Sequence, residues 1–175
     1  MQLIKDASEE KLRGAFYTPK DIASFILKWA FDSNKIIDIL EPSCGDGIFL
    51  KEIKNSKYSY SSITAIELDP IEANKSKKLN LKKSNVINTD FHNFCINTEN
   101  RFDLIIGNPP YIRYQFFDRE QQKFAGEIFD KANLKYSKLT NAWVSFVVGS
   151  SLLLKDNGKI GFVLPAELLL SLIHI

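Results

Sequence analysis

The chain has 175 residues, of which 45% are apolar and 25% charged, and its formal net charge is +2. That size suits one domain with a real core, and the balance is that of an ordinary soluble globular protein with no internal repeat or low-complexity segment. So mild a charge argues neither for nor against nucleic acid, while two cysteines (Cys44 and Cys95) without a secretory signal point to a reducing cytoplasm and to no disulfide framework.

Met1 to Leu12 is polar and reads as loosely held. In the segment Arg13 to Asp21, Thr18 fits a helix N-cap, Pro19 the first helical position, and Asp21 adds negative charge to the first turn. Ile22, Phe25, Ile26, Trp29 and Ala30 follow at helical spacing and predict one inward face. Phe16-Tyr17-Thr18 sit where a helix N-terminus could meet a ligand, although a well-capped amphipathic helix needs no such role.

Lys35 to Leu40 reads as a first strand. The turn that follows, Glu41-Pro42-Ser43-Cys44-Gly45-Asp46-Gly47, leads into a helix through Leu50 and Ile53, which is the entry to a nucleotide-binding α/β unit. Gly45 and Gly47 permit positive φ and close approach of backbone to a ligand. A dinucleotide fingerprint would place glycine where Leu50 stands, which counts against a pyrophosphate cofactor. Glu41 and Asp46 suit instead a ligand bearing an ammonium or sulfonium group.

Ser62 to Ile66 predicts a second strand ending in Glu67-Leu68-Asp69-Pro70. Glu67 lies about 20 residues past the glycine turn, where α/β cofactor sites place an acid on ribose hydroxyls. Asp69-Pro70 opens a helix to about Lys83, and the lysines on it read as a solvated face. Asn85 to Asn88 is a third strand ending in Thr89-Asp90-Phe91. There an acid and an aromatic could hold an adenine ring, or a capping aspartate could precede a core phenylalanine. His92 reads as an ordinary turn or surface histidine, and the histidines and cysteines form no metal-ligand cluster.

Phe102 to Ile106 is a buried strand that stops at Gly107-Asn108-Pro109-Pro110-Tyr111. Two prolines cannot donate to a ladder, and the first keeps Asn108 extended, so one amide, one bare carbonyl and one ring stand in a row. Alone this is a rigid turn. With Glu41, Glu67 and Asp90 it becomes the fourth polar residue at a strand end, and in a doubly wound sheet such ends meet on one edge. Beyond it, Ile112 to Lys138 interleaves aromatics with cations, which suits either a DNA-facing or lid segment or a helix over Asp118 to Ala132 with its phenylalanines inward. Thr140 can cap a core helix through Trp143, Phe146, Val147 and Leu153. Lys155-Asp156-Asn157-Gly158 reads as a turn, Gly158 to Pro165 as a fifth strand, and Ala166 to Leu172 as the next helix.

The ordered set Phe16-Tyr17-Thr18-Pro19, Glu41 to Gly47, Glu67-Leu68-Asp69, Asp90-Phe91 and Asn108-Pro109-Pro110-Tyr111 resembles the motifs of S-adenosylmethionine-dependent DNA adenine-N6 methyltransferases. Within them it is similar to the group whose cofactor motifs precede the target-recognition domain. The resemblance spans Arg13 to Glu167. It implies a Rossmann-like, doubly wound α/β catalytic domain over residues 1–175, of which about five parallel strands are present. The family's sheet has seven strands, and its members carry a later aromatic motif and a target-recognition domain, so the expectation is a truncated, cytoplasmic product that is part of a restriction-modification or related system.

By the same resemblance, Tyr17, Thr18 and Pro19 close over the methionine end of S-adenosylmethionine. Glu41, Pro42, Cys44, Gly45 and Gly47 hold its amino acid moiety, Glu67 its ribose, and Asp90 with Phe91 its adenine. Asn108 and Pro109 would grip the amine of an adenine flipped out of DNA, and Tyr111 would stack on that base. The chemistry needs no metal. Two other readings share these motifs: a methyltransferase acting on a protein glutamine amide or an RNA base, and a non-catalytic cofactor-binding module.

Overall fold

The computed structural model describes residues 17–32, 37–112, 116–135 and 141–166. The expectations for Phe16, Lys35, Ile36, Arg113, Tyr114, Tyr136, Lys138 and Thr140, and for a helix over Ala166 to Leu172, lie wholly or largely outside them.

Helix α1 (Lys20–Ala30) leads into β1 (Asp38–Glu41), α2 (Ile48–Lys54), β2 (Ser62–Glu67), α3 (Pro70–Lys78) and β3 (Ser84–Asn88). Then come α4 (Phe91–Asn97), β4 (Phe102–Gly107), α5 (Arg119–Lys131), α6 (Ala142–Leu153) and β5 (Leu154–Phe162). Every strand pairing is parallel, in the order β3-β2-β1-β4-β5. The chain builds outward from β1 to β3, then crosses back to lay β4 on the other side of β1. This is the doubly wound α/β architecture the alternating elements predict.

Because side chains alternate along a strand, each strand feeds two cores. Ile39, Ile63, Leu104 and Ile106 join Ala23, Leu27, Phe49, Leu50 and Ala73 from α1, α2 and α3. Leu40, Ile66 and Ile105 join Phe91, Ile128, Phe129 and Phe146 from α4, α5 and α6. Among the described residues, three helices thus cover each face of the sheet.

Several local expectations are corrected. Pro19, with φ −57 and ψ 142, is itself the N-cap of α1, and no side chain caps the helix. The buried face of α1 is Ala23, Ile26, Leu27 and Ala30, whereas Ile22, Phe25 and Trp29 are exposed. Both stripes have helical spacing. The one with two alanines faces in because small residues let the helix lie close to its neighbours.

Helix α3 ends at Lys78 rather than near Lys83, and Asn80 just beyond it takes a left-handed φ of 47. Residues Phe91–Asn97 form a helix that the sequence reading missed. Residues 155 to 158 lie within β5 rather than before it, but the register jumps from Phe102↔Leu154 to Leu104↔Lys159. The excess residues turn out of the ladder with Asn157 at φ 63, as a bulge.

Candidate functional site

At the carboxyl edge of the sheet the four strand ends converge on one cavity of about 600 Å³, lined by Glu41, Glu67, Asp90 and Asn108 among others. This is the edge where open α/β sheets hold ligands, at the point between β1 and β4 where strand order reverses. Tyr17, Thr18, Pro42, Cys44, Gly45 and Phe91 also line the cavity, whereas Pro19, Gly47, Pro109 and Tyr111 do not.

The turn after β1 is fixed from several sides. Cys44 N–H donates to the Ile66 carbonyl at 2.9 Å, and Gly47 N–H donates to the Cys44 carbonyl at 2.8 Å. Gly45 N–H donates to Glu67 Oε2 at 2.8 Å, and Ser76 Oγ donates to the Gly45 carbonyl at 2.8 Å. The two glycines serve different ends. A Cβ on Gly47 (φ +84) would lie 2.7 Å from Ser76 Oγ and 2.8 Å from Leu79 Cδ1, so Gly47 lets α2 approach α3. A Cβ on Gly45 (φ +52) would meet open space. The left-handed conformation both glycines permit is present, but their N–H groups are engaged within the fold.

Glu41 is the strongest sign of a ligand. It is 1% exposed, and neither carboxyl oxygen has a hydrogen-bond partner among the described residues. Burial pushes its pKa well above the usual carboxylate range, and the nearby Glu67 and Asp46 carboxylates push it further. A buried carboxyl without donors is costly unless a cation or a donor completes it. An ammonium-bearing ligand in this cavity would do so, which is the fit that an amino acid moiety requires.

Glu67 is held in place. Its Oε1 accepts from Asp69 N–H and its Oε2 from Gly45 N–H, both at 2.8 Å. Burial raises its pKa, and the two backbone donors oppose that rise. Each carboxylate oxygen can accept a second hydrogen bond, so a diol could still be received. Leu68, 56% exposed, stands on the cavity beside it.

Asp90 caps α4 through Oδ1, which accepts from Asn93 N–H at 3.0 Å, and Oδ2 accepts from Gln121 Nε2 at 3.1 Å. Burial raises its pKa, but the neighbouring His92 and these donors outweigh it, so the carboxyl sits below its ordinary value. The capping and core roles foreseen for Asp90 and Phe91 are both present: Phe91 is 2% exposed and stacks on Phe146 at 4.7 Å between centroids. His92 is fully buried rather than a surface residue, with Nε2 2.7 Å from Ser145 Oγ.

The Asn108 carbonyl accepts from Ser43 Oγ at 3.2 Å, which ties the β4 end to the β1 turn. The Tyr111 hydroxyl lies 2.5 Å from Asn108 Oδ1 and 2.7 Å from the Val163 carbonyl, just past β5. Burial pushes the Tyr111 phenol up to about 12. Of the aromatic and basic segment, Phe117 and Phe129 are buried, while Phe116 is 60% exposed on the cavity rim. The helix there turns Ala125, Ile128 and Phe129 into the core and leaves its other residues at least partly exposed.

Leu68, His92, Phe117 and Gln121 belong to the cavity and were not singled out as site residues from the sequence. Leu68 could have been found from its place beside Glu67 and Gln121 from its capping-box spacing to Asp118, but His92 and Phe117 carry no signal of a site role. Among the described residues no group of three or more His, Cys, Asp or Glu side chains could hold a metal, and no helix is long and apolar enough to cross a membrane.

The model of the Eco57I restriction-modification methylase family matches residues 20–172. The type II methyltransferase M.AccI of Acinetobacter calcoaceticus is 30% identical over 156 residues, which cover 88% of the chain and 28% of M.AccI. The tRNA1(Val) (adenine(37)-N6)-methyltransferase of Haemophilus influenzae is 30% identical over 145 residues, covering 79% of the chain and 57% of that enzyme. Among solved structures, a class I S-adenosylmethionine-dependent methyltransferase from Listeria monocytogenes aligns with a TM-score of 0.65 at 16% identity. The alignment covers 86% of this chain and 46% of that one, and the likeness carries the fold. The chain therefore spans little more than a quarter of M.AccI and little more than half of the tRNA enzyme.

Proposed function

Since the chain belongs to the Eco57I restriction-modification methylase family, we propose that the whole protein methylates the N6 amine of adenine in DNA with S-adenosylmethionine as donor. The single observation that carries this reading is the shared cavity: Asn108, the first residue of the Asn-Pro-Pro-Tyr run, lines the same space as Glu41 and Glu67. A target amine and a cofactor would thus be brought to one place.

The cofactor supplies an electrophilic methyl on a sulfonium, and the chain's residues bind and orient. Glu41 receives the ammonium, Glu67 the ribose hydroxyls through the lone pairs its backbone donors leave, and Asp90 the exocyclic amine of the cofactor's adenine. Leu68 and Phe91 add apolar contact. Tyr17, Thr18 and Pro19 belong to the methionine end, where Thr18 is 8% exposed and Tyr17 56%. Pro42, Cys44, Gly45 and Gly47 shape the turn that faces it.

On the target side, the lone pair of adenine N6 is delocalised into the ring, which makes the amine a weak nucleophile. The Asn108 side-chain oxygen and the Pro109 carbonyl accept its two hydrogens, localising the lone pair on nitrogen as positive charge develops there. The two prolines fix the carbonyl's direction before the substrate arrives. Tyr111 offers a π-face for a flipped base, a contact worth about 1–3 kcal/mol. Its tether to Val163 holds the ring from the neighbouring strand.

The test is transfer of labelled methyl from S-adenosylmethionine to mixed-sequence duplex DNA, with nucleoside mass spectrometry of the product. N6-methyladenine that disappears with Asn108→Ala supports the reading. Label in tRNA and none in DNA would replace it with RNA modification, a second reading favoured by the likeness to the tRNA enzyme.

A further inference from the structure

The site's adenine carboxylate is wired to the helix that follows the target-amine motif. Helix α5 opens with a reciprocal capping box: Asp118 Oδ1 accepts from Gln121 N–H at 2.8 Å, and Gln121 Oε1 accepts from Asp118 N–H at 3.1 Å. That second bond fixes which way the Gln121 amide points, because only its oxygen can face an N–H. Its Nε2 is therefore turned outward from the cap, and it donates to Asp90 Oδ2 at 3.1 Å.

The other oxygen of Asp90 is committed to the Asn93 N–H, with His92 Nδ1 3.3 Å away. Of the two oxygens, Oδ2 is thus the one whose orientation depends on a distant element, 31 residues along the chain. Gln121 also lines the cavity, and the turn before α5 carries Phe116 and Phe117 onto its rim.

We infer that Gln121 is a positioning residue for cofactor recognition, aiming Asp90 Oδ2 at the exocyclic amine of the cofactor's adenine and coupling that contact to the cap of α5. The inference rests on the reading of Asp90 as the adenine acceptor. One lone pair of Oδ2 is taken by Gln121, and the remaining one is directed by that bond. The amide holds the carboxylate as a pure acceptor, a state that welcomes an amine donor and repels a carbonyl oxygen at the same ring position.

Gln121→Glu separates this role from a structural one. Glutamate at this place in a capping box is as favourable for the helix as glutamine, so the cap survives. Against Asp90, however, it replaces a donor with a second carboxylate, whose negative charge repels Oδ2 instead of holding it. The experiment measures binding of S-adenosylhomocysteine and S-inosylhomocysteine to the wild-type chain and to Gln121→Glu by calorimetry, with a urea midpoint for each.

The expected result is a wild type that prefers the adenosyl ligand, and a variant that keeps its urea midpoint but loses about tenfold or more of adenosyl affinity and most of the preference. A folded variant with the wild-type preference overturns the inference, as does an equal loss for both ligands. A wild type that binds both ligands equally overturns it at its premise, by removing Asp90 as the amine acceptor, and leaves Glu41, Glu67 and Asn108 untouched. If Gln121→Glu does not fold, Gln121→Met removes the donor without adding charge and is read by the same criteria.

Discussion

Glu67 reaches across from the end of β2 to take the Gly45 N–H at 2.8 Å, so the proposed ribose acid also pins the turn proposed to hold the cofactor's amino acid end. The two tasks use different lone pairs of one carboxylate. Glu67→Ala removes both, and the expected outcome is loss of S-adenosylmethionine binding by calorimetry. Glu67→Gln keeps the shape but turns an acceptor into a donor that faces either Gly45 N–H or Asp69 N–H. It should therefore weaken binding nearly as much as the alanine does, and retention of wild-type affinity by the glutamine variant would show that the second acceptor is dispensable.

The glycines of the turn make a paired prediction on stability. Gly47→Ala meets Ser76 Oγ at 2.7 Å and Leu79 Cδ1 at 2.8 Å, and it places a side chain at φ +84. Strain at the backbone alone costs on the order of 1–3 kcal/mol, and the contact with α3 adds to it. Gly45→Ala meets only the backbone term, since its Cβ faces open space. Urea denaturation should rank Gly47→Ala as clearly the less stable variant. Equal midpoints would mean that α3 yields freely.

How much of this was legible in the sequence depended on whether a signal was local. The strand ends could be read because each is an apolar run cut off by a polar or proline-bearing turn, and their order along the chain placed them on one edge. Helix α4 escaped because Phe91 to Asn97 is only seven residues long, too short for the spacing of Phe91, Phe94 and Cys95 to stand out, although its cap, Asp90, was visible as one option. The inward face of α1 was legible only in part: Ile26 and Ala30 are buried as expected, but Ala23 and Leu27 take the places expected of Ile22, Phe25 and Trp29, a choice that packing makes. Gln121 was legible only as the third residue of a capping box begun by Asp118, and its link to Asp90, 31 residues away, was not.

Asn108→Ala tests the chemistry apart from binding. Asn108 stands at the end of β4 and lines the cavity, and its removal takes away one of the two acceptors proposed for the amine. Methyl transfer should fall by about a hundredfold or more, the scale of losing one preorganised polar group at a reacting centre. Binding of S-adenosylmethionine should stay near wild type. Equal loss of both would place Asn108 in cofactor binding instead.

At the opposite edge of the sheet, Lys155 Nζ lies 2.8 Å from Asp38 Oδ2 and 2.9 Å from Asp103 Oδ2, joining the starts of β1, β4 and β5. The Asp38 carboxyl is held below its ordinary value chiefly by the hydrogen bond from Lys155. At Asp103 burial pushes up, and donors from Asp38 N–H and Lys155 outweigh it. Depressed carboxyl pKa values contribute stability that is present above the unfolded pKa, near 3.8, and lost as pH falls through the lower folded values. Lys155→Met should therefore flatten the acid limb of a stability–pH curve below about pH 4. The effect will be small because all three side chains are partly exposed to solvent. An unchanged acid limb would remove the cluster from the account of acid stability.

Glu41 sets function against stability. Its pKa in the folded chain stands well above 4.5, chiefly through burial, so the folded state keeps a proton that the unfolded state gives up as pH rises past that value. Folding therefore becomes less favourable with rising pH over this interval, the opposite sign to the Asp38 cluster. Glu41→Gln has nearly the same volume and no proton to lose. It should unfold at higher urea than the wild type at pH 8, by an amount that shrinks toward pH 5. The same variant cannot meet an ammonium with a negative charge, so its affinity for S-adenosylmethionine should drop by about tenfold or more, the scale of a buried charge-assisted hydrogen bond. Urea midpoints at the two pH values, with calorimetry on the same samples, read both effects. A variant that gains stability and keeps its affinity would show that the buried carboxyl serves something other than the cofactor's ammonium.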